Sequence, residues 1–211
     1  EIKRDNRTDM FAATPPLEAL KLLFSMAVTE GIGFQRGDRE GGMKMAFIDI
    51  RRAFFHADAR RTVFVELPPE DAEPGMCGQL LKSMYGTRDA AQNWEFQDAK
   101  FMTDIGFIRG TSSPCAFHHP HRELRVVVHG DDFTILGWLN QLDWFETRIA
   151  ETSEYKNKRI GPDFADEKAV RILNRVVSWT ESGIEYGAGQ RHAELIIEHC
   201  KLQPDSKSVA T

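Results

Sequence analysis

The sequence predicts an α+β fold in which helices pack on one face of an antiparallel sheet. Three observations lead there. Apolar, β-branched runs at residues 124–129 and 133–136 flank a Gly-Asp-Asp turn, and runs at 170–179 and 184–186 flank Glu181-Ser182-Gly183, so hairpins recur. Trp138, Leu142, Phe145 and Ile149 fall at helical spacing and mark an amphipathic helix between those hairpins. Hydrophobic residues make up 41 % of 211, enough for a packed core, and charged residues make up 28 %. That composition excludes a disordered acidic tail, a collagen-like chain and a disulfide scaffold.

The elements follow in order. Thr14-Pro15-Pro16 is a helix-start signal, a capping hydroxyl and then prolines where no N–H is needed. Leu17, Leu20, Phe24 and Ala27 continue at helical spacing until Gly31 and Gly33. Residues 43–50 alternate as a strand, with Met45, Phe47 and Asp49 on one face and Ala46, Ile48 and Ile50 on the other. Residues 62–67 read as a second strand that Pro68-Pro69 ends. Residues 88–105 read as a helix with Ala90, Trp94, Phe101 and Ile105 on its stripe and Gly106 as its stop. A short strand at 115–118 precedes the central hairpin, and residues 192–202 form a last helix.

Cys77, Cys115 and Cys200 form no CxxC pair, which points to a reducing intracellular setting, cytoplasm or nucleus, and not to secretion. No apolar run is long enough to span a membrane, and no leader pattern opens the chain, which starts at Glu1 and reads as a fragment. The net charge of −5 is unusual for a nucleic-acid binder, which meets phosphate with Lys and Arg.

Two places hold acids where a core strand would not. Asp49 ends an apolar strand, and Asp131-Asp132 sit in a tight turn between apolar strands. Adjacent carboxylates repel, and burial raises their pKa unless a cation is present. Magnesium accepts one or two protein carboxylates plus substrate phosphates. The alternative from these residues alone is an ordinary hairpin corner and a turn-capping aspartate.

The chain resembles the reverse transcriptases of copia-type retrotransposons. Residues 47–58, Phe-Ile-Asp-Ile-Arg-Arg-Ala-Phe-Phe-His-Ala-Asp, resemble their first catalytic motif. Residues 63–69 and 80–86 resemble the two motifs that follow, and Trp94 falls on a family tryptophan. His129-Gly130-Asp131-Asp132 stands where the family has Tyr-Val-Asp-Asp. Residues 183–191 and 208–211 resemble later segments, so the likeness covers roughly residues 8–211 in order.

The resemblance implies a polymerase palm with truncated fingers. Residues 1–42 would hold a fingers remnant and the leading helix. Residues 43–187 would be the palm with an interleaved fingers segment, and 188–211 a helix and the start of the thumb or connection. It implies an RNA-directed DNA polymerase that transfers a nucleotide from dNTP to a primer 3′-OH with two Mg2+ ions, Mn2+ being the alternative ion. Asp49, Asp131 and Asp132 would be catalytic and, with the carbonyl of Ile50, would hold the metals, Asp49 and Asp131 as the main ligands and Asp132 as a weaker participant. Arg52 and Ala53 would bind the triphosphate through their amides. Phe54 would lie under the sugar, and Gly86, Arg88 and Asp89 would face the nucleotide. The implied partners are an RNA template, a DNA primer and dNTP, with no membrane. Other polyprotein parts (fingers, RNase H, integrase) would lie outside this chain.

The sequence departs from the family at Asp89, where a glutamine is usual, at Ala91, where a proline is usual, and at His129-Gly130. These departures keep a second function class in view, an inactive relic that binds nucleic acid or protein. Cys115, His118, His119 and His121 match no standard zinc spacing. His192, His199 and Cys200 read as plain helix residues. Lys156, Lys158 and Arg159 read as a solvated segment, with phosphate contact as the alternative. Trp138 and Trp144 read as core.

Overall fold

The computed structural model describes residues 11–188 and 190–203. Residues 1–10 and 204–211, including the 208–211 likeness, lie outside the described residues, as does the side chain of His192. Eleven strands and five helices are described, in the order α1 (Leu17–Ala27), β1 (Lys44–Ile50), α2 (Ala53–His56), β2 (Phe64–Val65), β3 (Gly78–Gln79), α3 (Ala90–Asp104), β4 (Ile108–Arg109), β5 (Ala116–His119), β6 (Leu124–His129), β7 (Asp132–Gly137), α4 (Leu139–Ala150), β8 (Tyr155–Ile160), β9 (Ala169–Ile172), β10 (Arg175–Thr180), β11 (Gly183–Ala188) and α5 (Gln190–His199).

The main sheet has the order β4-β5-β6-β7-β1-β8, and its neighbours are antiparallel. Because β1 is central, both its faces are buried. On one face Ala46, Ile48, Val126, Val128, Phe133 and Ile135 meet Trp94 and Met102 of α3 and Leu142, Phe145 and Ile149 of α4. On the other, Met45, Phe47, Val127, Leu136 and Ile160 meet Leu20, Leu23, Phe24 and Ala27 of α1 and Val170 and Val177 of a second sheet, β11-β10-β9.

This corrects the expectation of helices on one face. α3 and α4 share a face, but α1 and the second sheet cover the opposite one. The reason is in β1 and β7, whose apolar residues point both ways and would leave a bare hydrophobic face.

Smaller differences have local causes. Pro16 is itself the N-cap, extended at ψ 146°, and no side chain caps α1, so Thr14 is not the cap. On α3 the buried stripe is Ala90, Trp94, Asp98 and Met102, while Phe101 and Ile105 pack only partly. The 62–67 strand shrinks to Phe64–Val65, paired with Gly78–Gln79, because this arm has no core to cover. The 170–179 run is two strands: Ile172 pairs with Arg175 around Leu173 and Asn174, both at positive φ (44° and 60°). Two left-handed residues define a type I′ hairpin, which Asn favours and Leu hides. β8 was not foreseen, because its sequence Tyr-Lys-Asn-Lys-Arg-Ile carries little apolar signal.

A knot of charge fixes the second sheet to the first. Lys44, buried at the start of β1, ion-pairs with Asp163 at 2.7 Å and with Asp166. Asp163 also accepts from the Gly41 amide, and the Lys168 ammonium donates to the carbonyls of Gly161, Pro162 and Asp163.

Phe145 is fully buried between α4 and the main sheet, against the rings of Phe107 and Phe133. Phe145→Ala is expected to cost about 3–5 kcal/mol, read as a lower urea midpoint with an unchanged slope.

Candidate active site

Antiparallel register draws one row of polar side chains across four strands. His129 pairs with Asp132, Asp132 with Asp49, and Asp49 with Lys156. Directly opposed residues share a face, so these four side chains stand on the side that carries Phe47. Asp49 and Asp132 line a cleft of about 380 Å³ together with His129, Lys156, Lys158 and Arg171. Its apolar lining comes from Phe47, Val127 and the start of α1, and Pro15 and Pro16, expected as helix starters, form part of its wall.

Asp131 sits in the two-residue loop between β6 and β7. Gly130 has φ +65° there, which a glycine adopts without strain. Two hydrogen bonds hold this loop: the Ile50 amide donates to the Asp131 carbonyl at 3.0 Å, and the Trp94 indole N–H donates to the Gly130 carbonyl at 2.8 Å. The structure thus sets Asp132, not Asp131, face to face with Asp49, and places Asp131 at the adjoining corner.

Burial, then the like charges of Asp131 and Asp49, push the Asp132 carboxyl up to about 6, against the opposing pull of His129. The basic run splits by face. Lys156 and Lys158 are exposed along the cleft, whereas Arg159 lies on the opposite face and binds Asp143 at 2.7 Å and Glu146.

The chain leaves β1 through a sharp turn. The Arg51 amide donates to Glu154, Arg52 is left-handed at φ 55°, and α2 starts at the buried Ala53. Among the described residues the amides of Arg52 and Ala53 take no backbone hydrogen bond, as expected for the first amides of a helix. Phe54 is half-buried and stacks on Tyr85 with ring centroids 4.4 Å apart. Gly86 follows at φ +90°. Asp89 is buried and ion-pairs with Arg61 at 3.0 Å, while Asn93 donates to it and to Ser83. Burial raises its pKa, but the bonds from Arg61 and Asn93 outweigh this and leave it lowered. Arg88, half-buried, precedes it.

Among the described residues no group of three or more His, Cys, Asp or Glu closes tightly enough to hold a metal ion by itself. The donors at the cleft are two opposed carboxylates with a third at the corner. That open set suits Mg2+, which takes few protein carboxylates and fills its shell with water and substrate phosphates. The Cys115–His121 cluster forms no metal site among the described residues. Burial lowers the pKa of His119, which packs edge-on against Phe107 and Trp144 in the core.

A family model described as reverse transcriptase (RNA-dependent DNA polymerase) matches residues 3–162. The chain belongs to this reverse-transcriptase family. The retrovirus-related Pol polyprotein from transposon TNT 1-94 of Nicotiana tabacum is 27 % identical over 96 residues. That stretch is 43 % of this chain and 7 % of the polyprotein, so this chain spans a small part of the relative it matches.

In this reverse-transcriptase chain the sequence singled out the three acids as candidates and gave Lys156 and Lys158 phosphate contact only as an alternative, while it did not single out Arg171. Lys156, Lys158 and Arg171 reach the cleft through pairing of β8 and folding back of β9. The available signal was the alternation of Tyr155, Asn157 and Arg159 with the two lysines, a period of two without an apolar face.

The raised pKa of Asp132 carries a stability consequence. The unfolded chain loses this proton near pH 4 and the folded chain near 6, so folding competes with ionisation over that interval. Stability contributed at this site falls as pH rises from about 4 to about 6 and then levels off. Asp132→Asn is expected to remove that slope, seen as a difference in thermal midpoint from the parent that grows between those pH values.

Proposed function

We propose that this chain is the palm, with a truncated fingers part, of an RNA-directed DNA polymerase from a copia-type element. Residues 43–187 form the palm in this reading. Residues 1–42 lead into it, and 188–211 begin the thumb or connection. One observation carries the proposal: Asp49 and Asp132 oppose each other in register at a cleft, with Asp131 in the hairpin corner beside them. An RNA template, a DNA primer and dNTP are the proposed substrates, and the remaining polyprotein parts the proposed partners.

In the reaction the primer 3′-oxygen forms a bond to the α-phosphorus of dNTP and pyrophosphate leaves. Two Mg2+ ions, or Mn2+, when bound supply charge neutralisation at the attacking and leaving oxygens. Asp49, Asp131, Asp132 and the Ile50 carbonyl would hold them. The amides of Arg52 and Ala53 point donors at the triphosphate, as successive amides in a turn do. Phe54, braced by Tyr85, sets a ring beside the sugar. Gly86, Arg88 and Asp89 shape the nucleotide side of the α3 start, with Asp89 acting through Arg61. Lys156 and Lys158 offer cations to phosphate along the edge of the cleft. Positioning and charge supply most of what phosphoryl transfer needs.

An inactive binding module is not favoured. One argument for it, beside the truncated fingers, was an acid at Asp89 facing a triphosphate, and that acid is engaged by Arg61 and Asn93.

Primer extension on an RNA template with Mg2+, using this chain within its longer polyprotein segment, tests the proposal. Asp49→Asn and Asp132→Asn are each expected to lower incorporation at least 1000-fold, about 4 kcal/mol, with neither thermal midpoint falling below the parent's. Extension that survives both changes would sink the assignment. Phe54→Val is expected to weaken discrimination against a 2′-OH at least tenfold, about 1.4 kcal/mol, in paired dNTP and rNTP measurements. An unchanged ratio in an active variant would remove Phe54 from the site.

A further inference from the structure

A second cavity lies behind the catalytic hairpin. It holds about 130 Å³ and is walled by Trp94, Glu95 and Asp98 of α3, Arg109 of β4, Cys115 and Phe117, the end of β6, Phe54, and residues 12–14. It shares only His129 with the cleft that holds Asp49 and Asp132. Residues 11–14 strap across α3, where the Ala13 amide donates to Glu95 at 2.8 Å and Gln92 donates to the Phe11 carbonyl.

Asp98 is the anomaly in this wall. It is 4 % exposed, and its Oδ1 has no hydrogen-bond partner among the described residues. A buried polar group without a partner is costly and calls for an explanation. The nearby cation does not supply one, because Arg109 is committed to Glu95 and to the Pro114 carbonyl. The groups facing Asp98 are therefore a neutralised Glu95–Arg109 pair and the buried Cys115 thiol; His129 borders the cavity at the end of β6, with its side chain on the opposite face of the sheet. Around them the lining is apolar and largely aromatic: Phe54, Trp94, Phe117 and Val128.

We propose that this cavity is a binding site for a compact organic cation, an amidinium or guanidinium carried on a small flat apolar body. The planar N–H fork of such a group matches a carboxylate, and its charge meets an acid of this wall whose Oδ1 has no partner among the described residues. The flat body would stack among the aromatic rings. The cavity is sized for one ring rather than for a nucleotide. An occupant would lie against Trp94, whose indole holds the Gly130 carbonyl, and so would press on the loop that carries Asp131. The proposal does not depend on the polymerase assignment, because its deciding group, Asp98, lies outside the cleft, although His129 borders both places and Phe54 also serves the proposed nucleotide site.

Binding of this kind has a proton signature. Burial pushes the Asp98 carboxyl up to about 8, Arg109 opposing and Glu95 reinforcing. The free protein thus holds a proton there at pH 7, and a bound cation displaces it. Affinity is expected to rise between pH 6 and pH 8, and proton release at pH 7 to appear as buffer-dependent heat.

The experiment uses the whole chain, with benzamidine as the cationic probe and benzamide as its neutral counterpart, in calorimetry at several pH values. Benzamidine is expected to bind at least tenfold tighter than benzamide, with the Trp94 indole resonance shifting in NMR spectra. Asp98→Asn is expected to lower benzamidine affinity at least tenfold and abolish proton release while sparing benzamide. Because Asp98→Asn could disturb folding, Ala91→Met, an exposed helix position at the cavity mouth, serves as a second variant and is expected to weaken both probes. Benzamidine binding that ignores Asp98→Asn, leaves the Trp94 indole unmoved or fails to occur would overturn the proposal.

Discussion

The pairing of β1 with β7 constrains the rest of the structure. Side chains alternate along a strand, so a slip of one residue would turn Asp49 into the core and Ile48 into the cleft. Nothing of the kind is tolerated here, because both faces of β1 are occupied: Ala46 and Ile48 by α3 and α4, Met45 and Phe47 by α1 and the second sheet. The placement of the acids is therefore inherited from hydrophobic burial several residues away. Carboxylates that repel one another are held together by a framework that gains nothing from them.

Around the acids the chain separates two kinds of charge. Some charges are neutralised within the fold, as in Lys44 with Asp163 and Asp166, Arg159 with Asp143 and Glu146, and Asp89 with Arg61. Others stand along the cleft, namely Asp49, Asp132, Lys156, Lys158 and Arg171. The net charge of −5 says little about the second group, since internal pairs contribute to it without facing a ligand. A local arrangement of lysines beside aspartates is compatible with nucleic acid where the global sum is not.

Much of this was legible in the sequence. Alternation in residues 43–50 told which residues share a face with Asp49, and the apolar runs around Gly130-Asp131 announced the hairpin. The α4 stripe at Leu142, Phe145 and Ile149 is buried as its spacing implied. What stayed hidden depends on long-range pairing. β8 carries a weak apolar signal because one of its faces serves the cleft and the other carries Arg159 to α4. The Leu173-Asn174 loop is masked by a leucine at a position that prefers glycine or asparagine. Nothing in the sequence of the 88–105 helix marks Asp98 as buried, since packing against β4, β5, β6 and the 11–14 strap is what encloses it.

β1 is tethered at both ends. Lys44 is locked to the loop that launches the second sheet, and Ile50 and Arg51 are bound to the Asp131 and Glu154 carbonyls. Between Lys44 and Asp49 run five residue steps of extended chain, about 17 Å at the rise of a strand. The strand is therefore a strut of fixed length between the charged knot and the carboxylates. It sets how far the anchor of the overhanging β9–β10 hairpin stands from the acids beneath. A bound molecule would meet a clearance decided by backbone geometry, and side-chain exchange within the cleft could trim that clearance but not reset it.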